Sequence, residues 1–235
     1  MPHANESVVF PSHFGFCGGV SSADRLLYEV SSAAHEAGID DVFGLHYIVH
    51  NDDVVRFHED RGVTFVETPE EIPPNQLVVT SAHGIGPRTQ YALEQNGATT
   101  FDAACTLVVK THLAAQRARQ NGEKVLYLCH GKPGVVDTLH DEVAGTLDHL
   151  NYEAASDGLR YAPVERDFLE LGDEFTDVLL ASHGLYRIIS QTTLLASKAI
   201  EYRDQLKAFI TERQPGARVG HAALREVCRA VEERQ

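Results

Sequence analysis

Residues 99–112 read TTFDAACTLVVKTH and place Cys105 between a short β-branched run and the start of a predicted helix. A helix start directs unsatisfied N–H groups and a partial positive charge at the side chain before it, which favours the thiolate form of a cysteine. The thiolate is the form that binds metal or acts as a nucleophile. The alternative is that Cys105 is a small buried apolar residue, the usual role of a free cysteine.

A second stretch of the chain has the same shape. Residues 7–27 read SVVFPSHFGFCGGVSSADRLL, in which Cys17 also follows a strand-like run and precedes a predicted helix. Gly15, Gly18 and Gly19 allow the backbone to approach whatever the sulfur binds. Two cysteines in this position favour a binding or catalytic role over simple packing.

The composition is that of a globular protein with a large core. The chain has 235 residues, 43% of them hydrophobic, and a net charge of −14. It lacks the basic surface that nucleic-acid binding requires, and it has no apolar run long enough to span a membrane. The cysteines are too few and too widely spaced for a disulfide scaffold, so we expect a reducing, cytoplasmic compartment. They are Cys17, Cys105, Cys129 and Cys228.

Strand-like runs alternate with helix-period segments along most of the chain, which predicts an α/β fold of repeated βα units with mainly parallel sheets. Strands are predicted at 8–10, 42–45, 63–66, 77–80, 99–102, 125–128 and 178–180. Helices are predicted at 22–37, 52–61, 87–96, 107–120, 141–150 and 197–212.

Three predicted strand ends carry a His-Gly pair, at His83-Gly84, His130-Gly131 and His183-Gly184. Turns between strands and helices favour glycine and small polar residues in general, so each pair alone has an ordinary explanation. Three copies indicate a weak internal repeat of small α/β units. Ligands of parallel sheets gather at the carboxyl ends of strands, so such units can face one central site.

The long spacings between Cys17, Cys105 and Cys228 exclude the local ligand patterns of zinc ribbons and ferredoxins. Three thiolates from three separate units suit an iron–sulfur cluster that keeps one iron free for substrate.

Six motifs in one order carry a family resemblance. They are FGFCGGV, IVHNDDVV, TSAHGIGP, DAACTLVVKTH, HDEVAGT and SQTTL. Together they resemble the 4-hydroxy-3-methylbut-2-enyl diphosphate reductases, the last enzymes of the methylerythritol phosphate route to isoprenoids. The resemblance extends from about Val8 to Gln235.

The resemblance implies a fold and a division of the chain. It implies a pseudo-threefold arrangement of small parallel-sheet α/β domains around a central site, with the third domain incomplete. The expected domains are residues 1–103, 104–187 and 188–235.

The resemblance also implies a set of site residues. Cys17, Cys105 and Cys228 would hold a four-iron, four-sulfur cluster whose fourth iron takes the substrate hydroxyl, with electrons from ferredoxin or flavodoxin. The other implied residues are His50, His83 and His140 around the diphosphate, Glu142 as proton donor and Thr192 beside the reacting group.

The implied reaction removes a poor leaving group, so the alcohol must be bound to a Lewis acid and protonated while two electrons arrive. Glu142 could supply the proton if a dry, anionic pocket keeps it protonated, or it could be an ordinary first-turn glutamate. Asn51 could hydrogen-bond a ligand or cap the helix at Asp52. Cys129 is assigned to packing in a buried strand.

Departures from the family pattern leave other hypotheses open. Family members continue beyond the position of Gln235, so a second polypeptide that completes the third domain is expected, although a cleaved or a truncated chain would look the same. The chain could alternatively be a subunit of a diverged reductase for another alcohol, or a non-catalytic interaction subunit that retains the fold. A zinc hydrolase would leave Cys17 and Cys105 unexplained.

Overall fold

The computed structural model describes residues 15–49, 51–129, 160–163, 184–192, 194 and 196–222. Within these ranges, helices and strands alternate and build two four-stranded sheets. The helices are α1 (Gly18–Glu36), α2 (Asp52–Glu59), α3 (Pro87–Gln95), α4 (Thr106–Gln120) and α5 (Ala196–Arg213). The strands are β1 (Val42–Leu45), β2 (Val63–Val66), β3 (Leu77–Thr80), β4 (Thr99–Phe101), β5 (Lys124–Cys129), β6 (Arg160–Pro163), β7 (Leu185–Ser190) and β8 (Arg218–Ala222).

The first sheet has the order β2-β1-β3-β4, and all its strand pairs are parallel. The predicted bounds of β1, β2 and β3 are confirmed, and β4 is one residue shorter than predicted. Strands of a parallel sheet are covered on both faces and therefore consist of nearly continuous apolar runs. The central strand β1, VFGL, is accordingly buried at all four positions.

Each face of this sheet has its own apolar cluster, because successive residues of a strand point to opposite faces. Val42 packs with Ala23 and Leu27 of α1 on one face. Its neighbour Phe43 packs with Leu93 of α3 on the other. The helices thus cover the sheet on both sides and leave its carboxyl edge for the loops.

A buried histidine joins the first two helices. The His58 side chain of α2 is fully buried, and its Nε2 lies 2.8 Å from Oδ1 of Asp24 in α1. Beside this contact, the Arg61 guanidinium lies 4.5 Å from the ring centre of Phe57 and 5.0 Å from that of Tyr28. Such cation–π contacts add to the attraction between the two helices. Together they fix how α1 lies on the sheet and where its amino end points.

The second sheet has the order β6-β5-β7-β8 and is also parallel throughout. Helix α5 covers one face, where Leu206 packs against Leu126 and Ile188. Helix α4 packs against β5 and β7. Because a short turn leads from α4 directly into β5, α4 runs antiparallel to that strand. Its amino end therefore lies at the carboxyl edge of the second sheet.

Three strands of the second sheet, β6, β7 and β8, were not predicted from the sequence. β7 was not predicted because its sequence, LYRIIS (185–190), is a short apolar run that the charged Arg187 interrupts. Gly184 lies directly before β7, at the amino edge of the second sheet. The His-Gly repeat had predicted it at the carboxyl end of a strand. Residues 8–10, 141–150 and 178–180, which carried other predicted elements, lie outside the described ranges.

The pairing of β7 corrects one expected boundary. A boundary between residues 187 and 188 would cut through β7, which hydrogen-bonds to both β5 and β8. Residues 185–222 therefore belong with the second sheet, and Thr192 lies at the end of one of its strands. The division of the whole chain into three domains stays a prediction.

Across the described ranges, no helix is both long enough and apolar enough to cross a membrane.

A bidentate ion pair between Arg187 and Glu123 lies at the amino edge of the second sheet. The Arg187 guanidinium donates to the two Glu123 carboxylate oxygens at 2.7 and 2.6 Å, with the side chains 29% and 14% exposed. The hydrogen bonds that Arg187 donates to Glu123 raise the pKa of Arg187, an effect that partial burial opposes. A fork-to-fork pair of this kind is stronger than a single surface contact.

We expect Glu123→Gln to lower the free energy of unfolding by about 1–3 kcal/mol, because it leaves a partly buried guanidinium without its countercharge. Asp53→Asn is the control, because the Arg56–Asp53 pair is as short, 2.6 Å, but its side chains are 68% and 88% exposed. Breaking that pair should cost less than about 1 kcal/mol. Chemical denaturation measures both, and equal losses would contradict the structural role of the Glu123 pair.

Candidate functional site

Cys17 and Cys105 occupy equivalent positions at the starts of two helices. Cys17 is the N-cap residue of α1 and Cys105 is the N-cap residue of α4. Both thiols are free and half-buried, and neither helix has a side-chain cap or an acidic residue in its first turn. The predicted placement of both cysteines is therefore confirmed. The amino-terminal amides of each helix remain available to stabilise a thiolate.

The two helix starts meet in space. A Cβ atom at Gly19 would lie 2.5 Å from Sγ and 3.1 Å from Cβ of Cys105, so the backbone of α1 packs directly against the Cys105 side chain. Gly19 follows Cys17 by two residues, and two residues of chain span at most about 7 Å. The stretch that carries Cys17 and the side chain of Cys105 are thus neighbours, although 88 residues separate them in sequence.

Backbone hydrogen bonds hold Cys105 in this position. Its N–H donates to the carbonyl of Ala82 at 2.9 Å, and its carbonyl accepts from Val109 in the first turn of α4 at 3.0 Å. The first bond ties the start of α4 to the loop that follows β3. The carboxyl ends of β3 and β4 therefore act together to place this thiol.

A buried threonine organises the loop between β4 and Cys105. The Thr80 hydroxyl donates to Oδ1 of Asp102 at 3.2 Å and accepts from the backbone N–H of Ala103 at 3.1 Å. The same carboxylate oxygen accepts from the N–H of Ala104 at 2.9 Å. These three hydrogen bonds brace a short loop, so they leave the Cys105 backbone little freedom.

His83 lies in the turn that follows β3. Its N–H donates to the Ser81 hydroxyl at 3.3 Å, and its ring Nδ1 lies 3.4 Å from that oxygen. Gly84 follows with a positive φ of 72°, and a Cβ there would lie 3.0 Å from Cε1 of the buried His112 in α4. Close packing against α4 therefore shapes the turn that presents His83.

Thr192 lies just after β7 and is 6% exposed. The preceding Gln191 donates its N–H to the carbonyl of Leu128 at 2.8 Å, which continues the pairing of β7 with β5. Thr192 is therefore at the carboxyl edge of the second sheet. The amino end of α4, with Cys105, lies at that same edge.

Four predicted site residues, His50, His140, Glu142 and Cys228, lie outside the described ranges, as does the side chain of Cys129. In the part of the chain that the structure describes, no group of three or more metal-ligating side chains comes together. In this part, the segment that carries Cys17 packs against the side chain of Cys105. Cysteine thiolates are the ligands that iron–sulfur clusters prefer, so the donor type and the open helix ends fit such a group.

The structure resolves the alternative for Asn51. Its side-chain oxygen accepts from the N–H groups of Asp53 and Val54 at 3.0 and 3.2 Å, so it caps α2. Sequence reasoning missed the roles of Thr80 and Asp102. An Asp three residues before Cys105 at a strand end is a typical turn residue, and this was the available signal.

Comparisons with known proteins agree with the resemblance seen in the motifs. Residues 8–235 match the model of a family described as LytB protein. Among curated proteins, the chain is 30% identical over 231 residues to 4-hydroxy-3-methylbut-2-enyl diphosphate reductase of Anaplasma marginale, covering 98% of this chain and 60% of that protein. It is 31% identical over 221 residues to the Azotobacter vinelandii reductase of the same name, covering 94% and 62%.

Solved structures of reductases share the fold. A Plasmodium falciparum E-1-hydroxy-2-methyl-but-2-enyl-4-diphosphate reductase superposes with a TM-score of 0.69 at 22% identity, covering 94% of this chain and 60% of that one. A structure of (E)-4-hydroxy-3-methyl-but-2-enyl diphosphate reductase, described as the terminal enzyme of the non-mevalonate pathway, also has a TM-score of 0.69, at 24% identity, covering 97% and 70%. The predicted α/β class with parallel sheets is confirmed, and this chain corresponds to part of the three-domain reductase arrangement.

The chain spans about 60% of the length of the curated relatives that it matches. The family model nevertheless covers nearly all of the chain itself, through both sheets and both cysteine-bearing helix starts. On this evidence, the chain belongs to the LytB protein family.

Proposed function

We propose that this chain provides the iron–sulfur centre and part of the substrate site of a reductive dehydroxylase. The substrate is 4-hydroxy-3-methylbut-2-enyl diphosphate, and the products are isopentenyl and dimethylallyl diphosphate. The observation that carries the proposal is the packing of the α1 backbone, at Gly19, against the Cys105 side chain. This contact supports a common centre for two thiols that are far apart in sequence.

In this proposal, Cys17, Cys105 and Cys228 hold a four-iron, four-sulfur cluster. When bound, such a cluster supplies electrons and an iron without a protein ligand, which acts as a Lewis acid. The helix starts behind Cys17 and Cys105 stabilise the thiolate form through their free amides. The absence of acidic residues from both first turns avoids repulsion of those thiolates.

The diphosphate is assigned to His83, His50 and His140. Imidazole N–H groups donate hydrogen bonds to phosphate oxygens, and they carry positive charge when protonated. His83 is suited to this role because the turn around it is tightly packed against α4 and leaves its ring half-buried. A histidine held in this way loses little conformational freedom on binding.

Proton delivery is assigned to Glu142, and placement of the reacting group to Thr192. A carboxyl group kept away from water stays protonated to a higher pH and can donate a proton to a leaving hydroxyl. The hydroxyl of Thr192 can donate to or accept from the substrate oxygen. Its burial at the carboxyl edge of the second sheet supports a site at the edge where Cys105 also lies.

The remaining parts of the proposal concern partners and domains. Electrons come from a ferredoxin or flavodoxin in the cytoplasm. The other proposed partner is a second polypeptide that completes the third domain. The first domain comprises residues 1–103, and the second extends from residue 104 through β8 at least.

The cluster can be tested by anaerobic purification and iron analysis. We expect a brown protein with about four irons per chain, and we expect Cys105→Ala and Cys17→Ala to remove most of this iron because a thiolate ligand is lost. Cys129→Ala is the control, and it should keep the iron. A colourless wild-type chain would instead favour an interaction subunit that only retains the fold.

The proton-donor role can be tested with the assembly isolated from its native host and a chemical reductant. We expect Glu142→Gln to lower kcat for 4-hydroxy-3-methylbut-2-enyl diphosphate by about 100-fold or more, because general-acid catalysis contributes this much. Glu29→Gln is the control, since the Glu29 side chain is 65% exposed on α1. If the two variants have equal activity, Glu142 is not the acid. If the cluster-loaded wild type does not convert this substrate, a diverged reductase for another alcohol is favoured.

The partner can be tested by measuring the mass of the complex recovered from that host under native conditions. We expect a second polypeptide to co-purify with this chain in a fixed ratio. If this chain is recovered active and with its cluster but with no other polypeptide, the partner is refuted.

A further inference from the structure

We propose that Gly19 is a positioning residue, whose missing side chain allows the sulfurs of Cys17 and Cys105 to share one centre. A Cβ at this position forces the Cys105 side chain to shift, because the three atoms nearest to it would be Sγ, Cβ and Cα of Cys105, at 2.5, 3.1 and 3.9 Å. Contacts under 3.0 Å are essentially never seen for real Cβ atoms. The inference about the shared centre rests on the proposed function, whereas the steric conflict does not.

The requirement for glycine is steric and not conformational. Gly18 and Gly19 both belong to the first turn of α1, where the backbone is helical and any L-residue is allowed. Gly18 is exposed, and a Cβ built there meets nothing within 4 Å. Of these two adjacent glycines, only Gly19 faces Cys105.

Neither backbone in this contact can move away easily, so the adjustment falls on the Cys105 side chain. Cys105 is held by its hydrogen bonds to Ala82 and Val109, at 2.9 and 3.0 Å. Helix α1 is anchored by Ala23 and Leu27, both fully buried in the core of the first sheet. A methyl group at position 19 must therefore turn or displace the Cys105 side chain. A displaced sulfur no longer meets the geometry that cluster binding requires.

The steric conflict can be tested by a double-mutant cycle on the full cluster-free chain, with denaturant unfolding under reducing conditions. We expect Gly19→Ala to raise the unfolding equilibrium constant by roughly 5- to 100-fold, as overpacking usually does. Combined with Cys105→Ala, which removes Sγ, the same substitution should have a much smaller effect, so the two changes are coupled. Gly18→Ala should be neutral or slightly stabilising, because alanine is favoured over glycine in a helix.

The cycle remains informative if Gly19→Ala alone does not fold, because the double variant with Cys105→Ala should then recover a folded state. The inference is overturned if Gly19→Ala is tolerated as well as Gly18→Ala, or if its effect is the same with and without Sγ.

The positioning role is separated from a merely structural one by iron content and visible absorbance after anaerobic reconstitution. At a temperature where every variant is folded, Gly19→Ala should lose iron several-fold. Glu123→Gln, which should weaken the second sheet at the edge opposite to Cys105, should keep its iron. Equal retention by both variants overturns the positioning role. If no variant and no wild-type chain binds iron, the proposed function fails, while the double-mutant cycle still decides whether Gly19 is sterically required.

Discussion

The organisation of this molecule depends on one close contact, between the backbone of Gly19 at the start of α1 and the side chain of Cys105 at the start of α4. Two helix ends that both direct free N–H groups outward repel each other, because each carries partial positive charge. A negative charge between them relieves the repulsion. In the proposed centre, thiolates at the two N-cap positions would supply such charge, so the chemistry of that centre and the packing of the helices would support each other.

The contact is possible because separate features hold each helix in place. Helix α1 lies on the first sheet through its buried alanine and leucine side chains, and the Asp24–His58 contact fixes it against α2. Helix α4 begins at the end of a loop whose polar groups are bonded around Thr80. Each arrangement uses ordinary core packing and hydrogen bonding. The site is rigid because both helix starts are held in this way.

Helix α4 also links the two halves of the described structure. It starts at the carboxyl edge of the first sheet, and it packs against β5 and β7 of the second. Its amino end is therefore close to the carboxyl edges of both sheets, the edges at which parallel α/β folds bind their ligands. The net charge of −14 is no obstacle to an anionic ligand there, since the first turns of α1 and α4 contain no acidic residue, whereas α2 begins with two.

Apolar and β-branched runs together with turn residues were sufficient to predict the first sheet from the amino-acid sequence, because each of its strands is a short run of this kind bounded by polar or glycine-containing segments. Local order also placed Cys17 and Cys105 at helix starts, and six motifs identified the family. Strands β6, β7 and β8 were missed. In β7 the charged Arg187 interrupts the apolar pattern, and its pairing with Glu123 is a tertiary contact that the sequence does not show. The meeting of Gly19 with Cys105 was not visible either. Contacts between segments 86 residues apart depend on how complete sheets and helices pack, and no local pattern records which of two neighbouring glycines will face the sulfur.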